Sequence, residues 1–494
     1  MRSRLASSKL VGNKKDFSFI PNMLIKTVYL NFRDNRIVYA GLFLLFIAVI
    51  LLASYAARSV VTNDQWHFID VIRDYYQHGL SLRDIWEGHG AHRTPGYKIL
   101  FLLDAIYFHL NLKLEIYAGI LALLAMAVMI YTRYRDSMRD NLSPLKMQLS
   151  FLVIATVIFS FNQWALYFYS LSALDGFLGK MLFVWLWCYM DKGIRGSLTY
   201  DFILKFCVAF LLVLLIFGEG MGVAVILACL IVMLLSGIYS HAWSGRKYRV
   251  LLIATALTGI LSQVIYWAVP PALPQTAHLA DVMAIFTNIW GAVQYALTTL
   301  GSSILSWFWS RLGIRIDVAM SVTGFIVFLG YLAAVWLFFR TRMWQKTWLP
   351  LILMLYSVLF LGLLLVGRYG NGDINSAGAP RYAADLQLGL VGILWIFYYA
   401  RYSNRTTTKL WLKSVVVCAT VVVLCMQASS AVLQKRLAPF KRQYNLNFVE
   451  YLKTSQPNDI ISKGPVLFCP DPALCVEGVE TLRRYGLSPF YPVP

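Results

Sequence analysis

The chain has 494 residues, of which 59% are hydrophobic and 14% charged, with a mean hydropathy of +0.62. So few charges cannot cover the surface of a soluble domain, and many apolar runs approach the ~20 residues that cross a bilayer. The net charge of +20 does not indicate nucleic acid, because the basic residues sit in short segments between apolar runs, where topology and anionic lipid explain them.

The sequence therefore predicts an all-α polytopic membrane protein. Residues 1–37 carry Arg2, Arg4, Lys9, Lys14, Lys15, Lys26, Arg33 and Arg36 against Asp16 and Asp34, which places the N-terminus in the cytoplasm. They contain no short apolar core with a small-residue cleavage site, so the first span, at about 38–57, is expected to stay as an anchor.

The following stretch, "TNDQWHFIDVIRDYYQHGLSLRDIWEGHGAHRTPGY", gathers Asp64, Asp70, Asp74, Asp84 and Glu87 with His67, His78, His89 and His92. Trp66, Ile69, Ile72 and Tyr76 recur at helical spacing, with Asp70 and Asp74 on another face. Gly79 can end that helix, and Ser81 with Asp84 can cap the next. The first outer loop, 58–113, thus reads as short amphipathic helices at the interface. Asp64, held beside Trp66 just after the span, suits a general base, or else caps the first loop helix. His89 and His92 can contact phosphate, act as acid or base, or form an incomplete metal site, and Arg93 suits a phosphate; otherwise all three face lipid headgroups as the chain turns back.

Residues 97–111 are apolar but short, with Asp104 in the middle. If they crossed, the basic loop 133–147 and every later basic loop would lie outside. Read as interfacial or re-entrant, they leave all basic loops inside. The remaining spans are expected at about 114–132, 148–162, 176–190, 203–217, 221–237, 250–268, 318–339, 348–366, 383–400 and 414–432. Residues 269–317 contain a second apolar piece near 285–308, expected to be docked outside or re-entrant. About eleven crossings put the N-terminus in and the C-terminus out. The transmembrane unit, 38–434, is then followed by a small outer tail, 435–494, expected to be helical at 447–453 and 475–486 and to pack on the outer face. Cys469 and Cys475, in "CPDPALC", can form a disulfide there.

Further candidates lie at outer turns. Asp175 in "SLSALDGFLGK" and Glu219 in "FGEGMG" are acidic groups at the mouths of spans. Arg368 and Arg381 flank "GRYGNGDINSAGAPRY", where Arg381 can clamp a lipid-linked phosphate or merely snorkel.

"NDQW" after the first span, "LRDIWEGHGAHRTPGYKIL", "FSFNQWALYFYSL", the Arg381–Tyr382 pair opening a late span and the terminal "LRRYGLSPF" occur in an order that resembles bacterial multi-pass proteins of glycosyltransferase-C (GT-C) type. The commoner "HNEHR" of that group is "HGAHR" here, with Gly90 and Ala91 replacing Asn and Glu. The resemblance implies an inverting transferase in the bacterial inner membrane. Its donor would be a polyprenyl-phosphate-linked sugar and its acceptor an envelope glycan or lipid-linked glycan outside the cytoplasm, with no nucleic acid involved. Asp64 matches the essential acidic position after the first span, and Asp175 a second acidic position from a later outer loop. Some members need a divalent metal ion and some do not. The alternative readings are a lipid-linked oligosaccharide polymerase or ligase, a lipid or glycan flippase, and a scaffold without catalysis.

Overall fold

Hydrocarbon offers the backbone no hydrogen bonds, so a spanning segment must satisfy its own, and a helix does this within one segment. Every regular element among the described residues of the computed structural model is helical. It describes residues 35–87, 93–196, 198–240, 245–268, 278–306, 316–371, 377–403, 410–454 and 471–491. Ten helices there are long and apolar enough to cross a membrane, or eleven if one pair, bent by 53°, is a single broken span.

The first span is α1 (Arg36–Ala56). A 3-10 turn, Asn63–Phe68, follows, then α2 (Ile69–His78) and α3 (Leu82–Trp86). Gly79 caps α2 with φ of 83°, a left-handed backbone that glycine adopts without steric cost. Ser81 Oγ accepts from Asp84 N at 3.2 Å, and Asp84 Oδ2 accepts from Ser81 N at 2.9 Å, so the expected capping box is present.

α4 (Pro95–Phe108) has only 14 residues, about 21 Å of rise against a hydrocarbon core of about 30 Å. Both its ends lie at the same end of the bundle. Gly96 packs on Ile216 and Phe217, at the end of the later span α8, and Leu110 accepts from Ser59 Oγ just beyond α1. The chain then enters α5 (Leu112–Met138) and α6 (Pro144–Ile158), which breaks before the 3-10 turn Phe161–Tyr167. α7 (Ser170–Arg195) contains a π turn at Leu174–Gly179. α8 (Tyr200–Phe217), α9 (Gly222–Tyr239) and α10 (Arg246–Ala268) follow.

Two short helices come next, α11 (His278–Thr287) and α12 (Ile289–Ser302). α12 packs backbone to backbone on α13 (Ile316–Arg340): a Cβ on Gly324 would lie 1.8 Å from Leu297 O. It starts where Tyr369 Oη donates to Asn288 O (3.0 Å). Just past its end, Ser303 O accepts from Gln387 Nε2 (3.1 Å) and Ile304 O from Asn162 Nδ2 (2.6 Å). α12 thus runs from the end of the Leu349–Arg368 helix to the turn that follows α6 and the second turn of the Ala383–Tyr402 helix.

The last spans are α14 (Leu349–Arg368), α15 (Ala383–Tyr402), which follows a 3-10 turn at Pro380–Tyr382, and α16 (Leu410–Thr454). The helix expected at 447–453 is the far end of α16, whose 45 residues rise about 67 Å and carry it well past a bilayer core. The tail ends in α17 (Pro472–Arg484), close to the 475–486 expected.

Two polar contacts orient the bundle. Tyr131, late in α5, hydrogen-bonds Asn35, just before α1. Lys346 Nζ lies 2.7 Å from Asp140 Oδ2. The loop after α5, the turn before α14 and the start of α1 therefore share one end, together with Arg139 and Arg342. Buried Asp191 closes the same end, accepting from Trp348 N (2.8 Å) and Thr347 Oγ1 (3.1 Å) and pairing with Arg195 (2.8 Å). The loops bearing Arg139 and Arg342 thus share one end, and both ends of α4 lie at the other.

At the other end, the first loop and the tail form a second buried cluster with α4. The apolar face of the Asn63–Phe68 turn and α2 seats in this protein core instead of on lipid: Trp66, Ile69 and Ile72 are buried, and Gly478 of α17 packs directly on the Trp66 ring. Tyr76 stacks on Tyr485 at 4.4 Å, His109 on Tyr491 at 3.8 Å, and Arg73 pairs with Glu477 at 3.1 Å. Cys475 is buried here and disulfide-bonded, while the sequence-expected partner, Cys469, lies outside the described residues.

Candidate functional site

The end that holds the first loop also holds most of the sequence candidates. Asp64 is exposed in the first turn of the Asn63–Phe68 element. It does not cap that turn. Thr62 does, in a capping box with Gln65, which leaves the Asp64 carboxylate to solvent. Gln65 Nε2 donates to Ser170 Oγ at 2.5 Å and so pins the Asp64 turn to the start of α7.

Five residues beyond Ser170, Asp175 lies half-buried in the π turn and accepts from the Tyr97 hydroxyl at 3.3 Å. A π turn widens the helix and re-aims its side chains, and such turns concentrate at functional sites. Asp175 also acts electrostatically on Asp385, one turn into α15. Asp385 forms an ion pair with Lys180 at 3.2 Å and accepts from the Tyr356 hydroxyl at 2.6 Å. Lys180 and Asp385 are almost wholly buried. The sequence reading passed over both. The available signal was a Lys in "FLGKMLF" and an Asp in "YAADLQLG", each inside an otherwise apolar run.

Asp104 of α4 and Glu115 of α5 form a neighbouring buried acidic pair, close enough to interact electrostatically. Burial pushes the Asp104 carboxyl up to about 7, opposed weakly by the Asn111 amide. Two other groups of the first loop are shifted. Burial raises the Asp70 carboxyl against the pull of Arg73. It also lowers the Lys98 ammonium, which donates to the carbonyls of Asp84 (2.9 Å) and Glu87 (2.7 Å).

Of the phosphate candidates, Arg381 is exposed, with its guanidinium 5.0 Å from the Tyr382 ring, and Arg368 is half-exposed at the end of α14. Arg93 is 1% exposed, its guanidinium stacked over Tyr266 (4.8 Å) and Trp267 (5.7 Å) of α10. His89, His92 and the Glu219 side chain lie outside the described part of the chain. Among the described residues no three His, Cys, Asp or Glu side chains gather as a metal would require.

These features define an all-α polytopic membrane protein. Compared with known proteins, the chain matches no protein-family model and no curated sequence.

Proposed function

We propose that this protein is a membrane glycosyltransferase that takes a sugar from a polyprenyl-phosphate donor and passes it to an envelope glycan or lipid-linked acceptor on the outer face of a bacterial inner membrane. One observation carries the reading: the segment after the first span is folded by protein contacts, yet its first acidic side chain, Asp64, is left exposed beside the span bearing Asp175. In this reading Asp64 removes the proton from the acceptor hydroxyl as it attacks the sugar's anomeric carbon. The bond from that carbon to the donor phosphate breaks, and the phosphate leaves with the electron pair. Arg381 and Arg368, at the mouths of α15 and α14, neutralise its charge. The Tyr97–Asp175 contact and the Lys180–Asp385 pair beneath it brace the floor of the site.

A second reading draws on a different observation. Lys180 and Asp385 are buried inside spans next to a π turn, and ionisable groups so placed also mark translocation routes. Purified protein in liposomes, supplied with a polyprenyl-phosphate sugar and a lipid-linked acceptor, separates the two. Transfer that fails with Asp64→Asn supports the transferase. Movement of the lipid between leaflets without transfer supports the flippase.

A further inference from the structure

The end of the bundle opposite Arg139 and Arg342 carries three cations that the candidate site does not use: Arg58, Lys113 and Arg442. Positive-inside bias asks for basic loops at one end of a bundle only, so it does not account for them. They come from three parts of the chain. Arg58 lies two residues past α1, Lys113 is the second residue of α5, and Arg442 sits late in α16.

Hydrogen bonds hold these segments level with one another. Asn445 Nδ2, three residues past Arg442, donates to Ala56 O (3.1 Å) at the end of α1. Ser59 Oγ donates to Leu110 O (2.9 Å) and accepts from Leu112 N (2.9 Å), which ties the residue after Arg58 to the start of α5. From the tail, Ser488 Oγ donates to Ser59 O (2.8 Å). The three cations are brought together as a result. Arg58 and Arg442 both act electrostatically on Lys113, and Arg442 acts on Arg58. The Arg442 guanidinium lies 4.9 Å from the centre of the Tyr55 ring. The Ser54 and Tyr117 hydroxyls, 3.0 Å apart, join α1 to α5 beside it.

No carboxylate balances this charge. The charged and phenolic groups that act on Arg58 are Arg442, Tyr55 and Tyr117, and those that act on Lys113 are Arg58 and Arg442. Like charges held this way repel, more strongly where protein excludes part of the water, and an anion among them removes that cost. Arg58 is half-buried and fixed, since its Nη1 donates to Ala57 O (2.8 Å) and Tyr55 O (3.3 Å). Its Nε and Nη2 remain for an oxyanion. Arg442 is exposed and Lys113 half-buried, so the cluster opens outward.

Its level identifies the anion. One span ends and another begins beside these cations, so they sit where hydrocarbon gives way to headgroups. On the hydrocarbon side, Tyr55 and Leu51, one turn apart on α1, are 43% and 64% exposed. A ligand that fits has an anionic head above and an apolar chain below.

We propose that Arg58, Lys113 and Arg442 bind the phosphate headgroup of an anionic phospholipid, whose acyl chain runs along α1 past Tyr55 and Leu51. The inference stands apart from the transferase reading, since it uses none of Asp64, Asp175, Arg368 and Arg381.

The test uses full-length protein with photoreactive p-benzoylphenylalanine in place of Leu51, in phosphatidylcholine nanodiscs. These contain either phosphatidylglycerol or an equal mole fraction of isotope-labelled phosphatidylcholine. Lipid adducts are read by intact mass after illumination. Each cation beside an anionic headgroup is worth about fivefold in affinity. Phosphatidylglycerol should therefore give at least about tenfold more adduct than the labelled phosphatidylcholine, and Arg58→Gln/Arg442→Gln should abolish the preference. Arg139→Gln/Arg342→Gln, which removes the same charge at the other end, should leave it intact. If the first double variant does not fold, Arg442→Gln alone decides, because that side chain is exposed; it should cost about fivefold. Equal adducts from the two lipids, or a preference that Arg442→Gln leaves untouched, overturns the proposal. Loss of the phosphatidylglycerol adduct in inorganic phosphate, but not in chloride of equal ionic strength, would assign the cations to free phosphate and overturn the lipid.

Discussion

Lys180 Nζ and Asp385 Oδ2 stand 3.2 Å apart inside the bundle, joining α7 to α15 where solvent does not reach. Removing one partner of such a pair strands a buried charge, which costs about 3–5 kcal/mol. Lys180→Ala and Asp385→Ala should each lower Tm sharply in detergent unfolding. The double variant Lys180→Met/Asp385→Leu should recover most of the loss, because apolar groups of similar volume need no counter-charge. A double variant as unstable as the sum of the singles would show that the pair is not coupled.

Asp64 should behave in the opposite way. It is exposed and does not cap its turn, so Asp64→Asn should leave Tm unchanged. As a general base it should still be worth roughly a hundred- to ten-thousand-fold in transfer rate. Full rescue of surface glycans by Asp64→Asn in a deletion strain would remove it from the mechanism.

Asp104 predicts a pH effect of definite sign. Its folded carboxyl, raised from 3.8 to about 7 by burial, holds its proton more tightly than in the unfolded chain. Its contribution is full below about pH 4 and is lost as the pH rises to about 7, a difference on the order of 3–4 kcal/mol. Asp104→Asn should flatten the Tm profile over that window and raise Tm at pH 8. An unchanged profile would mean that the carboxyl is ionised throughout.

The tail should report on the first loop. A Cβ on Gly478 would lie 2.7 Å from the Trp66 ring, so Gly478→Val overfills the contact at a cost of about 1–3 kcal/mol. The expected readouts are a lower Tm and a shift in tryptophan emission as Trp66 is displaced from its buried seat.

Sidedness follows from the shared ends. Arg139→Cys and Arg342→Cys should be labelled from one face of sealed vesicles, and Arg83→Cys and Glu477→Cys from the other. Labelling of Arg139→Cys and Arg83→Cys from the same face would mean that α4 crosses after all.

Much of this architecture is legible in the sequence, for reasons local to each segment. Span number follows from apolar runs long enough to satisfy their own backbone in lipid, and the eleven runs read from the sequence match the helices closely. The Ser81–Asp84 box and the Gly79 cap involve residues within one turn of each other, so spacing alone foretells them. From the placement of the basic loops, 97–111 and 285–308 are expected to stay outside or re-enter, and the helices found there, of 14, 10 and 14 residues, are each shorter than the ~20 that span a bilayer.

The site was less legible. Helical periodicity marks the face that Trp66, Ile69 and Ile72 share, but not whether lipid or α17 covers it. Nothing near Arg93 in the chain reveals that Tyr266 and Trp267 will enclose its guanidinium. Nor does either neighbourhood of Lys180 or Asp385 name the other. The sequence by itself determined the membrane class, the spans and the local caps, because those depend on hydropathy and on neighbours within a turn. Only the tertiary structure decided which charges are paired, which are buried and which remain open to a substrate, because each of those outcomes depends on residues far apart in the chain meeting where water is excluded.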